Sequence, residues 1–77
     1  MLRLKNIKIT DKTAEADFYP ENLDLYGHIV VDLASREIVD IRHVPGYEFM
    51  YPGHARKELV RIAKAGETRE TSVVMWY

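Results

Sequence analysis

Histidines and alternating acids are the side chains here whose types suit proton or ligand chemistry. The chain has three histidines and no cysteine, so thiolate zinc sites, disulfides and nucleophilic thiols are excluded together. Glu15 and Asp17 alternate, and on a strand they would share one face and bring two carboxylates close. His28 and His43 bracket a β-branched stretch, HIVVDLASREIVDIRH, that reads as two strands and a turn. A two-residue turn at Ser35-Arg36 would set the two imidazoles opposite each other, as a metal or acid–base pair. The same register would also set Val31 against Asp40 and Ile29 against Arg42. Shifting the pairing by one residue aligns Ile29, Val31 and Leu33 with Val39 and Ile41. Burial decides between the two registers, because a slip turns every side chain to the other face. The expectation is an odd loop, with His43 on the apolar face, His28 on the opposite one, and no metal site.

The second candidate is YEFMYPGHARKEL, residues 47–59. Helix starts usually carry Ser, Thr, Asp or Asn as a cap, and here Tyr51, Pro52 and Gly53 stand in that place. The first-turn N–H groups therefore lack a local side-chain acceptor, and His54, Arg56 and Lys57 add positive charge against the helix dipole. A small anion or nucleotide bound by Gly53, His54 and Arg56, with Tyr47 and Tyr51 as hydroxyl donors or a stacking wall, would resolve both problems. The plainer reading caps the helix with water or with a carboxylate such as Glu21 or Glu48. Lys57, Arg61 and Lys64 form a basic stripe on the same helix, with Arg56 beside it. Between Thr13 and Ser35 there are five acids and no lysine or arginine. Such a basic face is an alternative nucleic-acid contact, but the strand aromatics Phe18, Tyr19 and Tyr26 have acids as chain neighbours. Readers that use a sheet face interleave aromatics with basic residues, so nucleic-acid binding is not expected.

These residues need elements to position them. Leu2, Leu4, Ile7 and Ile9 mark a first strand whose alternation slips near Asn6, which predicts a bulge. A polar turn, TDKT, leads into Ala14, Ala16 and Phe18 on one face and Glu15, Asp17 and Tyr19 on the other. Pro20-Glu21-Asn22 breaks the chain before the second hairpin, and Val44-Pro45-Gly46-Tyr47 suits a type II turn. From Pro52, Ala55, Leu59, Ile62 and Ala63 recur at helical spacing, with Lys64 in the last turn and Gly66 as a left-handed cap. TSVVMWY closes the chain as a fifth strand, apolar at consecutive positions as if buried on both faces. The pattern β-β-β-β-α-β predicts a single α+β domain over residues 1–77. A mainly antiparallel sheet of four to five strands would carry one amphipathic helix on one face. Tyr19, Tyr26 and Trp76 are then candidates for the other face, where they need cover or stay wet.

A net charge of −1 gives no overall attraction to nucleic acid or anionic membrane. No apolar run approaches the ~20 residues of a membrane span, and the alternating start is unlike a targeting segment, so the expected location is cytoplasmic. No catalytic constellation emerges: there is no glycine-rich phosphate loop, no His-Glu-x-x-His and no nucleophile elbow. A chain of 77 residues buries only about 60% of its unfolded surface, and oligomerisation is the stabilising device its composition leaves open. The expected function is that of a small non-enzymatic domain without a cofactor. It would act through protein–protein interaction as a homo-oligomer, with the acidic segment of one copy facing the basic helix of another.

Overall fold

A computed structural model describes residues 1–76 of the chain. Among these residues there are five strands and one helix: β1 (Leu2–Ile9), β2 (Thr13–Pro20), β3 (Gly27–Asp32), β4 (Ile38–Arg42), α1 (Tyr51–Ala65) and β5 (Ser72–Val74). They form one antiparallel sheet in the order β4-β3-β2-β1-β5, with α1 across one face. The first four strands meander. The helix then carries the chain over the sheet, so that β5 adds to the free edge of β1.

Side-chain alternation builds the core. Leu2, Leu4, Ala14, Ala16, Phe18, Ile29 and Val31 point from the sheet at Ala55, Leu59 and Ile62 of the helix, all fully buried. The slip in β1 is a bulge: Asn6 has φ 55°, the β1–β2 register shifts between Lys5 and Lys8, and Ile7 returns to the core. Ile9 does not follow it inward and stays exposed. The TDKT turn is closed by the Thr10 N–H donating to the Thr13 carbonyl at 2.8 Å. The Val44–Tyr47 turn is closed by the Tyr47 N–H donating to the Val44 carbonyl at 2.9 Å. At the helix C-terminus Gly66 takes φ 67°, and the Gly66 and Glu67 N–H groups bond the Ala63 and Ile62 carbonyls. Only a residue without a Cβ adopts that conformation freely.

The second hairpin keeps the register that burial favours. Ile29 pairs with Ile41 and His28 with Arg42. A bulge between Val30 and Val31 then sets Val31 against Ile38. Ile38 therefore takes the half-buried place expected for Val39, and Val39 is 61% exposed. His43 lies beyond β4 and is exposed, because Val44 behind it is the residue that enters the core. The last strand also departs from expectation. It has three residues, lies at the sheet edge and is not buried on both faces: Val73 is 59% exposed, while Ser72 faces the helix. A single helix covers a single face, so outward side chains of an edge strand meet water.

Candidate functional site

The helix start gathers most of the residues the sequence singles out. Its N-cap, Met50, has φ 71° and makes no side-chain capping bond. The preceding chain caps the helix instead. The Tyr51 N–H donates to the Phe49 carbonyl at 2.8 Å and the His54 N–H to the Met50 carbonyl at 3.0 Å. Pro52 has no N–H, so the Met50 and Gly53 N–H groups are left without an acceptor among the described residues.

Around this start the rings form a cluster. Tyr47 meets Tyr51 edge-on with centroids 5.2 Å apart, and Tyr51 meets Trp76 edge-on at 5.2 Å. His54 stacks on Trp76 at 4.0 Å and 11°. Trp76 thus belongs to the helix side of the molecule and not to the open sheet face. The Tyr51 hydroxyl donates to Glu21 Oε2 at 2.6 Å, and the same oxygen accepts from the Met1 ammonium at 2.9 Å. The hydrogen bond to the carboxylate, reinforced by its charge, pushes the Tyr51 phenol up to about 12. Those same two donors hold the Glu21 carboxyl below its usual value. A protein carboxylate thus stands at the hydroxyl that an anionic ligand would need. Arg56 is not part of the cluster, since its guanidinium donates to the Arg36 carbonyl at 3.3 Å, toward the β3–β4 turn.

The basic stripe is partly neutralised. Arg61 donates to both oxygens of Glu58, at 2.8 and 3.0 Å, and to Glu67 at 3.0 Å. Glu58 also accepts from the buried Ser72 hydroxyl at 2.6 Å, which ties β5 to the helix. Lys57 and Lys64 remain exposed.

The open sheet face holds the second constellation. β2 and β3 pair so that Asp17 lies opposite His28. The His28 ring lies 2.7 Å from Asp17 through Nδ1 and 2.7 Å from Glu15 through Nε2. Two ionised carboxylates are satisfied together when both ring nitrogens carry protons, so the pairing favours the imidazolium. Partial burial opposes the charged ring, but the two carboxylates outweigh it and raise the His28 pKa above 6.5. Burial likewise opposes ionised Asp17, and the bonds from His28 and from the Asn6 amide, 2.9 Å away, lower its pKa nonetheless. This arrangement locks three groups together and leaves neither ring nitrogen free for a metal or a substrate. No group of three such side chains among the described residues is placed to hold a metal ion.

Beside this clamp Tyr19 and Tyr26 stack with centroids 5.0 Å apart. Arg3 and Lys5 approach the Tyr19 ring at 5.1 and 4.8 Å, and Arg42 lies over Tyr26 at 5.1 Å. Tyr19 and Tyr26 therefore have acids nearby along the chain and cations from other parts of the sheet against their rings, the reverse of what adjacency along the chain implies. The outward alternation of Glu15, Asp17 and Tyr19 was legible, but His28 and the cations join them only once the strand register is known.

The fold and these clusters define an open-faced α+β domain with one covered and one uncovered sheet face. Compared with protein-family models, with curated proteins and with solved structures, the chain matches none.

Proposed function

We propose that the chain is a non-enzymatic protein-interaction domain that pairs with a second copy of itself through the patch at the helix start. The observation that carries this reading is the exposure of Phe49, 87%, next to Met50 at 60%. Large apolar side chains presented together on a small soluble domain mark a contact surface. Met50 adjoins Tyr51 and Met75 adjoins Trp76, whose rings touch, so the exposed residues frame one aromatic cluster. The loop that presents Phe49 lies between the Val44–Tyr47 turn and the helix. A self-complementary apolar patch suits a two-fold contact, and a chain this small gains stability from the added burial.

The anion reading of the same place has the Glu21 carboxylate against it. The proposed head-to-tail charge pairing is weakened too, since Glu15, Asp17, Glu21 and Asp32 already have partners within the chain. Sedimentation velocity over a range of concentrations tests the proposal. The wild type should show a concentration-dependent dimer, and Phe49→Ser should raise its dissociation constant at least about ten-fold, as for an anchor residue of an interface. A wild type that stays monomeric at millimolar concentration would refute self-pairing.

A further inference from the structure

We propose that the tyrosine end of the open sheet face binds single-stranded nucleic acid, with a base stacking on Tyr26 and phosphates taken by Arg42 and Lys5. This goes beyond self-pairing and uses the opposite side of the molecule. The face is built in cross-strand rows. Tyr26, Tyr19, Arg3 and Val73 make one row, and Arg42, His28, Asp17 and Lys5 the next. Aromatics and cations are thus interleaved across the strands, which is the arrangement a sheet-face reader of splayed bases requires.

The cations differ in freedom. Arg3 donates to the Glu21 and Leu23 carbonyls and so fixes the β2–β3 loop that carries Tyr26. Lys5 and Arg42 are exposed and form no ion pair among the described residues. Each rests near a tyrosine ring. Stacking of a base on an exposed aromatic is stronger than an exposed cation–π contact, so a base displaces the guanidinium of Arg42 from Tyr26. The displaced cation is then beside the base's own phosphate. Asp17 and Glu15, which would repel that phosphate, are both bonded to His28, which offsets part of their charge. Asp40, in the row after, limits the contact to about two or three nucleotides. An acidic peptide would satisfy the cations but leave the rings without a stacking partner. A duplex hides its base faces.

Fluorescence anisotropy with labelled ten-nucleotide dT, rU and rA strands at low salt tests this. Single strands should bind and a matching duplex should not. Tyr26→Ala should weaken binding about ten-fold, the loss expected for one stacked base. Arg42→Ala should reduce the salt slope by about one. Lys57→Ala, on the helix, should change nothing. Should Tyr26→Ala lose its native circular dichroism, Arg42→Glu carries the same test at an exposed side chain. Absence of any anisotropy rise at low salt would overturn the proposal. So would binding indifferent to both face variants, or binding of polyglutamate in place of the oligonucleotides.

Discussion

At the scale of single residues, His28 is a group whose protonation the fold biases. Its two carboxylate partners favour the imidazolium, so its folded pKa lies above 6.5. A raised pKa means stability that is full below 6.5 and fades as pH climbs through the folded value. Asp17 acts in the opposite sense: its lowered pKa contributes stability above 3.8, lost as pH falls through the depressed value. The clamp therefore contributes most between those limits. His28→Gln should cost about 1 kcal/mol there, the scale of a partly exposed ion pair. That difference should shrink as the medium turns alkaline. Urea midpoints of both proteins across pH would show it, and a difference growing with pH would mean a neutral ring.

At the scale of elements, two backbone positions carry more than their side chains suggest. Gly27 opens β3 opposite Phe18, and a Cβ there would fall on the Arg42 carbonyl and against the Phe18 ring. Backbone and a fully buried ring cannot both yield. Gly27→Ala should destabilise by about 1–3 kcal/mol, the range for overpacking, and urea denaturation measures it. Met50 is the other position. Its φ of 71° is strained for a residue with a Cβ, yet its side chain is 60% exposed and does nothing for the core. Met50→Gly should raise stability by about 1 kcal/mol while weakening self-association. Thermal melts and sedimentation of the same variant separate the two effects. Strain relieved with no loss of association would move the contact surface away from Met50.

For the whole molecule, the acidic segment and the helix arginine find their partners locally. Four of the five acids of residues 15–32 pair with His28, the N-terminus, Tyr51 and a turn N–H, Asp24 being the exception, and Arg61 is taken by Glu58 and Glu67. The acidic segment thus has little free charge to offer the basic helix of a second copy. Association through Phe49 should thus persist between about 0.05 and 0.5 M salt, where exposed ion pairs are screened. A dimer that falls apart over that range would restore the head-to-tail charge pairing. Nucleic-acid binding on the other face should weaken over the same range, so salt alone separates the two surfaces.

The architecture was readable because it rests on local periodicity. Alternation marked β1 to β3, helical spacing and Gly66 bounded α1, and the slip near Asn6 announced its bulge. Each of these signals is carried by residues a few positions apart. The sites were not readable in the same way. His28 meets Asp17 across a strand pair, Tyr19 meets Arg3 and Lys5 from another strand, and Trp76 reaches back to His54. The bulge that turned Val39 outward and the edge position that exposed Val73 were likewise set by pairing partners. The chain by itself determined the elements and the face that each buries, because burial follows the side-chain period. Only the tertiary structure decided which charges and rings meet, because cross-strand register joins residues that have no fixed spacing along the chain.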